Sequence, residues 1–147
     1  MITVLLVDDH VPIQKGLRYI LEATEDIKVV ATASNGVEGV AEARKHCPNV
    51  VVMDISMPLM DGIEATRQIG EFCRFTRVMM LSILDSPEYI QRAVEVGAVG
   101  FVLKETVGRD LLAAVRALAR GKRYFSPNIA DIAETYFDAQ GGESWAG

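Results

Sequence analysis

The sequence is poor in cysteine and short of positive charge. It has 2 cysteines, Cys47 and Cys73, in 147 residues. Their spacing fits no thiolate metal site and no disulfide framework, so the expectation is a cytosolic protein with reduced thiols. The 15 Lys and Arg stand against 20 Asp and Glu, a formal net charge of −5. A nucleic-acid-binding module normally carries a basic face, so this chain itself is not expected to bind nucleic acid. No apolar run approaches the roughly 18 residues a membrane span needs, so no membrane contact is expected. The apolar run from Met1 to Val7 is too short for a signal peptide and lacks a basic flank. A cytoplasmic location is the corresponding expectation. Tandem repeats and low-complexity tracts are missing, and two isolated histidines, His10 and His46, read as surface residues.

Apolar residues are plentiful: half of the chain is hydrophobic and mean hydropathy is +0.19. That excludes global disorder, and the length suits one domain with a single core. Short β-branched runs recur at about 2–7, 27–33, 49–53, 76–81 and 98–103. Most are apolar on both faces, as strands of a covered parallel sheet are. Between them lie amphipathic stretches of helical length. Ile13, Leu17, Ile20 and Leu21 share one face after Pro12. Asn35 with Glu38, and Asp61 with Glu64, have the spacing of helix N-caps. Ser86-Pro87 opens a fourth helix that Gly97 ends. Val107, Leu111, Val115 and Leu118 form the stripe of a fifth, ended by Gly121. A sixth stretch, about 126–137, repeats Ile129, Ile132, Ala133 and Tyr136 at helical spacing. Gly141 to Gly147 reads as linker, and a chain that stops in a linker reads as cut from something longer.

The order is (βα)5, an α/β chain whose right-handed crossovers give a doubly wound parallel sheet. Asp8 and Asp9 end the first strand, Asp54 the third, Ser82 the fourth and Lys104 the fifth. Strand order 2-1-3-4-5 gathers these on one edge, at the switch point where ligands bind. Clustered carboxylates raise one another's pKa unless a cation joins them. Mg²⁺, which takes carboxylates, waters and phosphate oxygens, is the natural cofactor. With a hydroxyl and an ammonium beside it, such a site can hold a phosphoryl group, and a carboxylate can itself be the nucleophile. Asp54 directly follows Val50-Val51-Val52-Met53, where an uncompensated carboxylate is costly, which favours a site over a chance polar residue. Asp61-Gly62 reads as a cap and turn, and Met79 and Met80 as core. Ile90 also reads as core, with Tyr89 partly exposed.

Val7-Asp8-Asp9-His10, Met53-Asp54-Ile55-Ser56-Met57-Pro58-Leu59-Met60-Asp61-Gly62, Leu81-Ser82 and Gly100-Phe101-Val102-Leu103-Lys104 together resemble the receiver domain of two-component response regulators. The resemblance covers 2–121. Gly100 to Glu105, followed by Arg120 to Pro127, is similar to the subfamily whose receivers precede a LuxR/NarL-type helix-turn-helix domain; that domain is absent from this chain. The resemblance implies a flavodoxin-like fold, with 1–121 as receiver and 122–147 as a helical linker and tail. It implies that a sensor histidine kinase phosphorylates Asp54. Asp8, Asp9, Asp54 and the backbone carbonyl of Ser56 would hold Mg²⁺. Ser82 and Lys104 would contact the phosphoryl group. Phe101 would be the switch aromatic, turning inward as Ser82 moves. The output would be a changed protein surface, through homodimerisation, that controls transcription by way of the absent DNA-binding domain. Self-phosphorylation from a phosphodonor and slow autodephosphorylation are the only expected reactions. The flanking positions Ser56 and Leu84 offer no carboxamide or carboxylate to orient water.

Three other readings remain open on the sequence. An aspartyl-nucleophile phosphatase of the haloacid-dehalogenase type needs a second Asp two residues after the nucleophile, where Ser56 stands. A flavodoxin-like cofactor binder needs a hydroxyl- and glycine-rich loop after the first strand, where Asp8-Asp9-His10 stands. A stand-alone receiver without a DNA-binding output is a third possibility.

Overall fold

The computed structural model describes residues 1–83, 86–127 and 129–139. Five strands form where the apolar runs lie: β1 (Ile2–Val7), β2 (Ile27–Ala33), β3 (Val50–Asp54), β4 (Arg77–Ser82) and β5 (Gly100–Leu103). The helices are α1 (Val11–Glu22), α2 (Gly36–His46), α3 (Gly62–Phe72), α4 (Pro87–Glu95), α5 (Val107–Ala119) and α6 (Ala130–Ala139). A sixth strand, β6 (Tyr124–Phe125), pairs parallel to β5, so the sheet order is 2-1-3-4-5-6. The expected order is thus present with one edge strand added.

The strands alternate between two layers. Val4, Leu6, Val50 and Val52 face α1 and α5, whose Leu17, Leu21, Leu111, Val115 and Leu118 fill one side. Leu5, Val7, Val51 and Met53 face the other side, where Ile63, Ile69, Ile90 and Ala93 from α3 and α4 pack. Burial on both faces is why the runs show little polar alternation. Each fully buried side chain of this size stabilises the fold by roughly 1.5–3 kcal/mol. Met79, Met80 and Ile90 are completely buried, as their spacing implies, and Tyr89 is half-buried.

Local signals fix the helix ends. Asn35 accepts a hydrogen bond from the Glu38 amide at 2.9 Å, and Asp61 one from the Glu64 amide at 2.9 Å. The Glu38 carboxylate reaches back one residue further than a capping box requires, to the Ser34 amide at 3.0 Å. Ser86 occupies the N-cap position of α4, but its side chain makes no capping bond. Gly97 follows α4 with φ at 101°, a conformation other residues rarely adopt.

The cysteine expectation is overturned. Cys47 and Cys73 form a disulfide, with Cα atoms 5.7 Å apart. They lie 26 residues apart in sequence, so no local pattern announces the pair. They meet because each directly follows a helix, Cys47 after α2 and Cys73 after α3, and these helices pack side by side.

Residues after α5 also join the fold. The Tyr124 amide donates to the Val99 carbonyl at 3.1 Å, and the Ser126 amide to that of Phe101 at 3.0 Å. Asp110, 4% exposed, accepts hydrogen bonds from Thr106 Oγ1 at 2.9 Å, Tyr124 Oη at 3.0 Å and Ser126 Oγ at 3.4 Å. Ile129 and Ala133 are buried in the same layer as Phe101, while Ile132 and Tyr136 are half-buried against it. The tail from 140 onward, read as linker, lies outside the described residues.

Gly62 marks where packing is tightest. A Cβ there would collide with the Asp54 carbonyl oxygen, which cannot move without displacing β3. Gly62→Ala should therefore lower stability by about 3 kcal/mol, read as the urea midpoint shift multiplied by the m-value. An unchanged midpoint would show that the loop between β3 and α3 is not constrained by this contact.

Candidate functional site

The site occupies the edge where β1, β3, β4 and β5 end. Asp8 is the residue after β1, and its amide donates to the Ala33 carbonyl at 3.0 Å, which fixes the turn out of the strand. Gln14, 9% exposed on α1, donates from Nε2 to the carbonyls of Asp8 and Ala33. Asp54 is the last residue of β3, and the Ile55 amide bonds the Leu81 carbonyl at 3.1 Å. Lys104 follows β5 directly and opens a single turn of 3-10 helix.

Three of the expected residues meet closely. Lys104 Nζ lies 3.1 Å from Asp54 Oδ2 and 3.2 Å from Asp8 Oδ2. Asp8 and Asp54 are 1% and 3% exposed. Burial first, and the Asp8 charge second, push the Asp54 carboxyl up to about 6; Lys104 and the Ser56 amide pull the other way. Burial disfavours the Lys104 charge, yet the Asp54 and Asp8 carboxylates outweigh it and hold the ammonium above the usual lysine range. Lys104 therefore stays protonated, one cation beside two buried anions.

The remaining residues surround this trio. Asp9 is half-buried, and its Oδ1 approaches His10 Nδ1 at 3.2 Å. Ser82 is buried at the end of β4, and Ser56 is exposed just past Asp54. Together with His10, Ile55, Ile83, Asp54 and Lys104, both line a cleft of about 80 Å³. Leu84 lies outside the described residues. Phe101 is 1% exposed, so its ring already lies within the core. The expected inward turn presumes an outward ring, whereas here the ring already lies in the layer that holds Ile129 and Ala133.

Sequence reasoning passed over two contributors. His10 sits in the acidic group with Asp8, Asp9 and Asp54, although its side chain is 60% exposed. Its amide donates to Asp8 Oδ1 at 2.8 Å, bracing that carboxylate. Gln14 was hidden because a glutamine on an apolar helix face carries no motif; only the fold places it under Asp8.

The donor set suits a hard cation. Asp8 Oδ2, Asp9 Oδ1 and Asp54 Oδ2 are buried oxygens that accept no hydrogen bond. Two of them meet only the Lys104 ammonium, at ion-pair distance and without a well-directed bond. Ligand oxygens from Asp8, Asp9 and Asp54, with His10 beside them, lie within 4.8 Å of one another. Unsatisfied, buried carboxylate oxygens so placed fit a divalent ion that keeps several waters.

Residues 4–116 match the response regulator receiver domain. The chain belongs to that family. The receiver is 36% identical over 137 residues to the transcriptional regulatory protein YxjL of Bacillus subtilis, a match covering 92% of this chain and 63% of that protein. It also resembles the crystal structure of a LuxR-family two-component response regulator from Aurantimonas, with a TM-score of 0.85, 31% identity, and coverage of 97% and 99%. RcsB of Salmonella typhimurium, in a structure concerned with its DNA interaction, gives a TM-score of 0.84 and 26% identity, covering 91% and 70%. The chain spans about three fifths of the length of the curated relatives it matches. Its curated relatives are named as regulatory proteins and response regulators. No helix among the described residues is long and apolar enough to cross a membrane.

The raised Asp54 pKa has a measurable sign. In the fold its carboxyl keeps a proton up to about pH 6, whereas the unfolded value is 3.8. Stability from the neutral form is complete below about pH 4 and declines as pH rises through 6. In metal-free buffer Asp54→Asn should remove that decline and be about 2–3 kcal/mol more stable than wild type at pH 8. Parallel stability–pH curves for the two proteins would refute the burial account of this carboxyl.

Proposed function

We propose that the chain is a phospho-accepting switch whose acceptor is Asp54, supplied by a sensor histidine kinase in the cytoplasm. The carrying observation is the buried Asp54 carboxylate, 3.1 Å from Lys104 Nζ and set among carboxylate oxygens that lack hydrogen bonds. An Asp54 oxygen attacks the phosphorus of a phosphohistidine; the O–P bond forms and the N–P bond to the imidazole breaks. A carboxylate at the end of a rigid strand is well placed for this, since phosphoryl transfer asks mainly for position and charge neutralisation. Asp8, Asp9, Asp54 and the Ser56 carbonyl would hold Mg²⁺, which supplies positive charge against the transferring oxygens.

Lys104 contributes the fixed cation. It now divides its charge between Asp54 and Asp8, and a phosphoryl oxygen on Asp54 offers a stronger partner. Ser82, which lines the cleft, would donate its hydroxyl to the same group. The modification adds roughly one to two negative charges to an already acidic pocket. Phe101 follows from within the core, because it shares its layer with Met80, Ile129 and Ala133. The response is a population shift between two packings, limited by how differently they bind the phosphoryl group. The receiver unit is assigned to residues 1–121 and the linker to the segment that follows, whose β6 and α6 pack back onto the receiver's sheet and core.

The output would be homodimerisation that controls transcription through a helix-turn-helix domain beyond these residues. The similarity to RcsB supports this, since two RcsB dimers have been solved bound to two parallel DNAs. A haloacid-dehalogenase-type reaction finds no general acid, because Ser56 stands where a second Asp is needed. The only chemistry of its own is self-phosphorylation from a small phosphodonor and slow loss of the phosphoryl group.

Incubation with acetyl phosphate and Mg²⁺, followed by borohydride trapping, should place the adduct on Asp54. Asp54→Asn should lose at least nine tenths of the labelling. Lys104→Ala should remain folded and accept phosphate, yet dimerise less when phosphorylated. Full labelling of Asp54→Asn would overturn the assignment, and undiminished dimerisation of phosphorylated Lys104→Ala would remove the role given to Lys104.

A further inference from the structure

The disulfide lies at the opposite edge of the sheet from Asp54, because β3 runs from Val50, near Cys47, to Asp54. The two sulfurs differ in environment. Cys47 is exposed, and Cys73 is 4% exposed within the core layer. Cys47 terminates α2 in a left-handed conformation, with φ at 37°. Beside it opens a cleft of about 320 Å³ lined by Cys47, Pro48, Phe72, Cys73, Arg74 and Phe75. That volume is at the low end of small-molecule sites. Arg74 gives it a cation, and Phe75, 80% exposed, gives it an apolar wall.

We propose that Cys47–Cys73 is a reversible thiol–disulfide site, opened and closed through Cys47 by a low-molecular-weight thiol of anionic character. Three observations carry this. Cys47 is the exposed residue of the pair and lines the cleft, which offers it to an external thiolate. Cys73 Sγ lies 3.3 Å from the Ala43 carbonyl in donor geometry, so a reduced thiol there has an acceptor waiting. Cys73 is held in the core layer with Ala43 and Ile69 by burial as well as by the bond.

The exchange balances in both directions. In closing, the Cys47 thiolate attacks one sulfur of a small disulfide R–S–S–R. That S–S bond breaks, and one R–S⁻ leaves and takes up the proton Cys47 lost. The Cys73 thiolate then attacks Cys47 Sγ, and the second R–S⁻ leaves as R–SH. Two protein thiols are oxidised by two electrons and R–S–S–R is reduced to two R–SH. In opening, an R–S⁻ attacks Cys47 Sγ and the buried Cys73 sulfur departs as a thiolate that takes up a proton; a second R–S⁻ then attacks the outer sulfur of the Cys47 adduct, releasing the Cys47 thiolate, which takes up a proton, and R–S–S–R.

The pair also touches the signalling machinery through its two helices. The Gly36 amide at the start of α2 bonds the Met60 carbonyl at 3.1 Å, and the Gly62 amide at the start of α3 bonds that of Ile55 at 2.8 Å. Both helices are thus anchored at one end by the loop that follows Asp54, and at the other by the disulfide. Opening the bond removes the covalent link between their final turns while leaving the Asp54 end attached.

The test is a redox titration of the folded chain in buffers of glutathione and glutathione disulfide. Samples are acid-quenched, denatured, alkylated with N-ethylmaleimide and weighed intact. Wild type should pass from two adducts to none as the oxidised share rises, and return on reversal. Cys73→Ser should accumulate a single glutathione adduct mapped to Cys47, while Cys47→Ser stays unmodified in the folded state. Two adducts at every ratio would overturn the proposal, because the thiols then never pair. No adducts in excess reduced glutathione would overturn it equally, because the bond is then a permanent staple. The wild-type titration decides the matter even if a variant fails to fold.

Discussion

A single charge imbalance organises the functional edge of this protein. Two carboxylates, on Asp8 and Asp54, are almost wholly removed from water and share one ammonium, Lys104. Burying such charges costs several kcal/mol per ion unless partners compensate. The surrounding structure supplies part of that compensation. Gln14 and the Ala33 carbonyl hold the backbone of Asp8, and the His10 amide holds its side chain. The Ser56 amide supports Asp54, whose carboxyl nevertheless stays raised to about 6. What remains uncompensated is the room the site leaves for a cation and a phosphoryl group.

That imbalance is possible because the sheet is rigid where it ends. β3 is buried along its whole length, and Gly62 lets α3 begin against the Asp54 carbonyl without collision. A carboxylate on a mobile loop would relax toward water and lose its perturbation. Energy stored in this way is small beside the whole fold, yet it is concentrated on the atoms that react. Past β5, at the same edge, the chain continues to Asp110, Tyr124 and Ser126, whose hydrogen bonds tie β6 to the turn after Lys104.

Much of this was legible in the residues. Runs such as Val50 to Met53 name a covered strand, and Asn35 and Asp61 cap the helices they precede. A carboxylate placed directly after a buried strand is itself a signal, which is why Asp8 and Asp54 stood out. β6 was not legible, because two residues have no periodicity and their pairing depends on a free edge of β5. The burial of Phe101 belongs to the covered strand β5, while the packing of Ile129 and Ala133 into its layer depends on the segment after α5. Cys47 and Cys73 were misread because their meeting depends on two helices packing in register, which no spacing encodes. Caps, strand runs and site carboxylates are local; the edge strand and the disulfide are products of topology.

The most direct measurement of the charge imbalance is calorimetric titration of Mg²⁺ into the chain at pH 6 and pH 8, in buffers of different ionisation enthalpy. A cation that completes the buried carboxylates must drive the proton from Asp54. With its carboxyl at about 6, binding at pH 6 should release about half a proton and binding at pH 8 almost none. A buffer-independent enthalpy at pH 6, or no binding at either pH, would contradict the account.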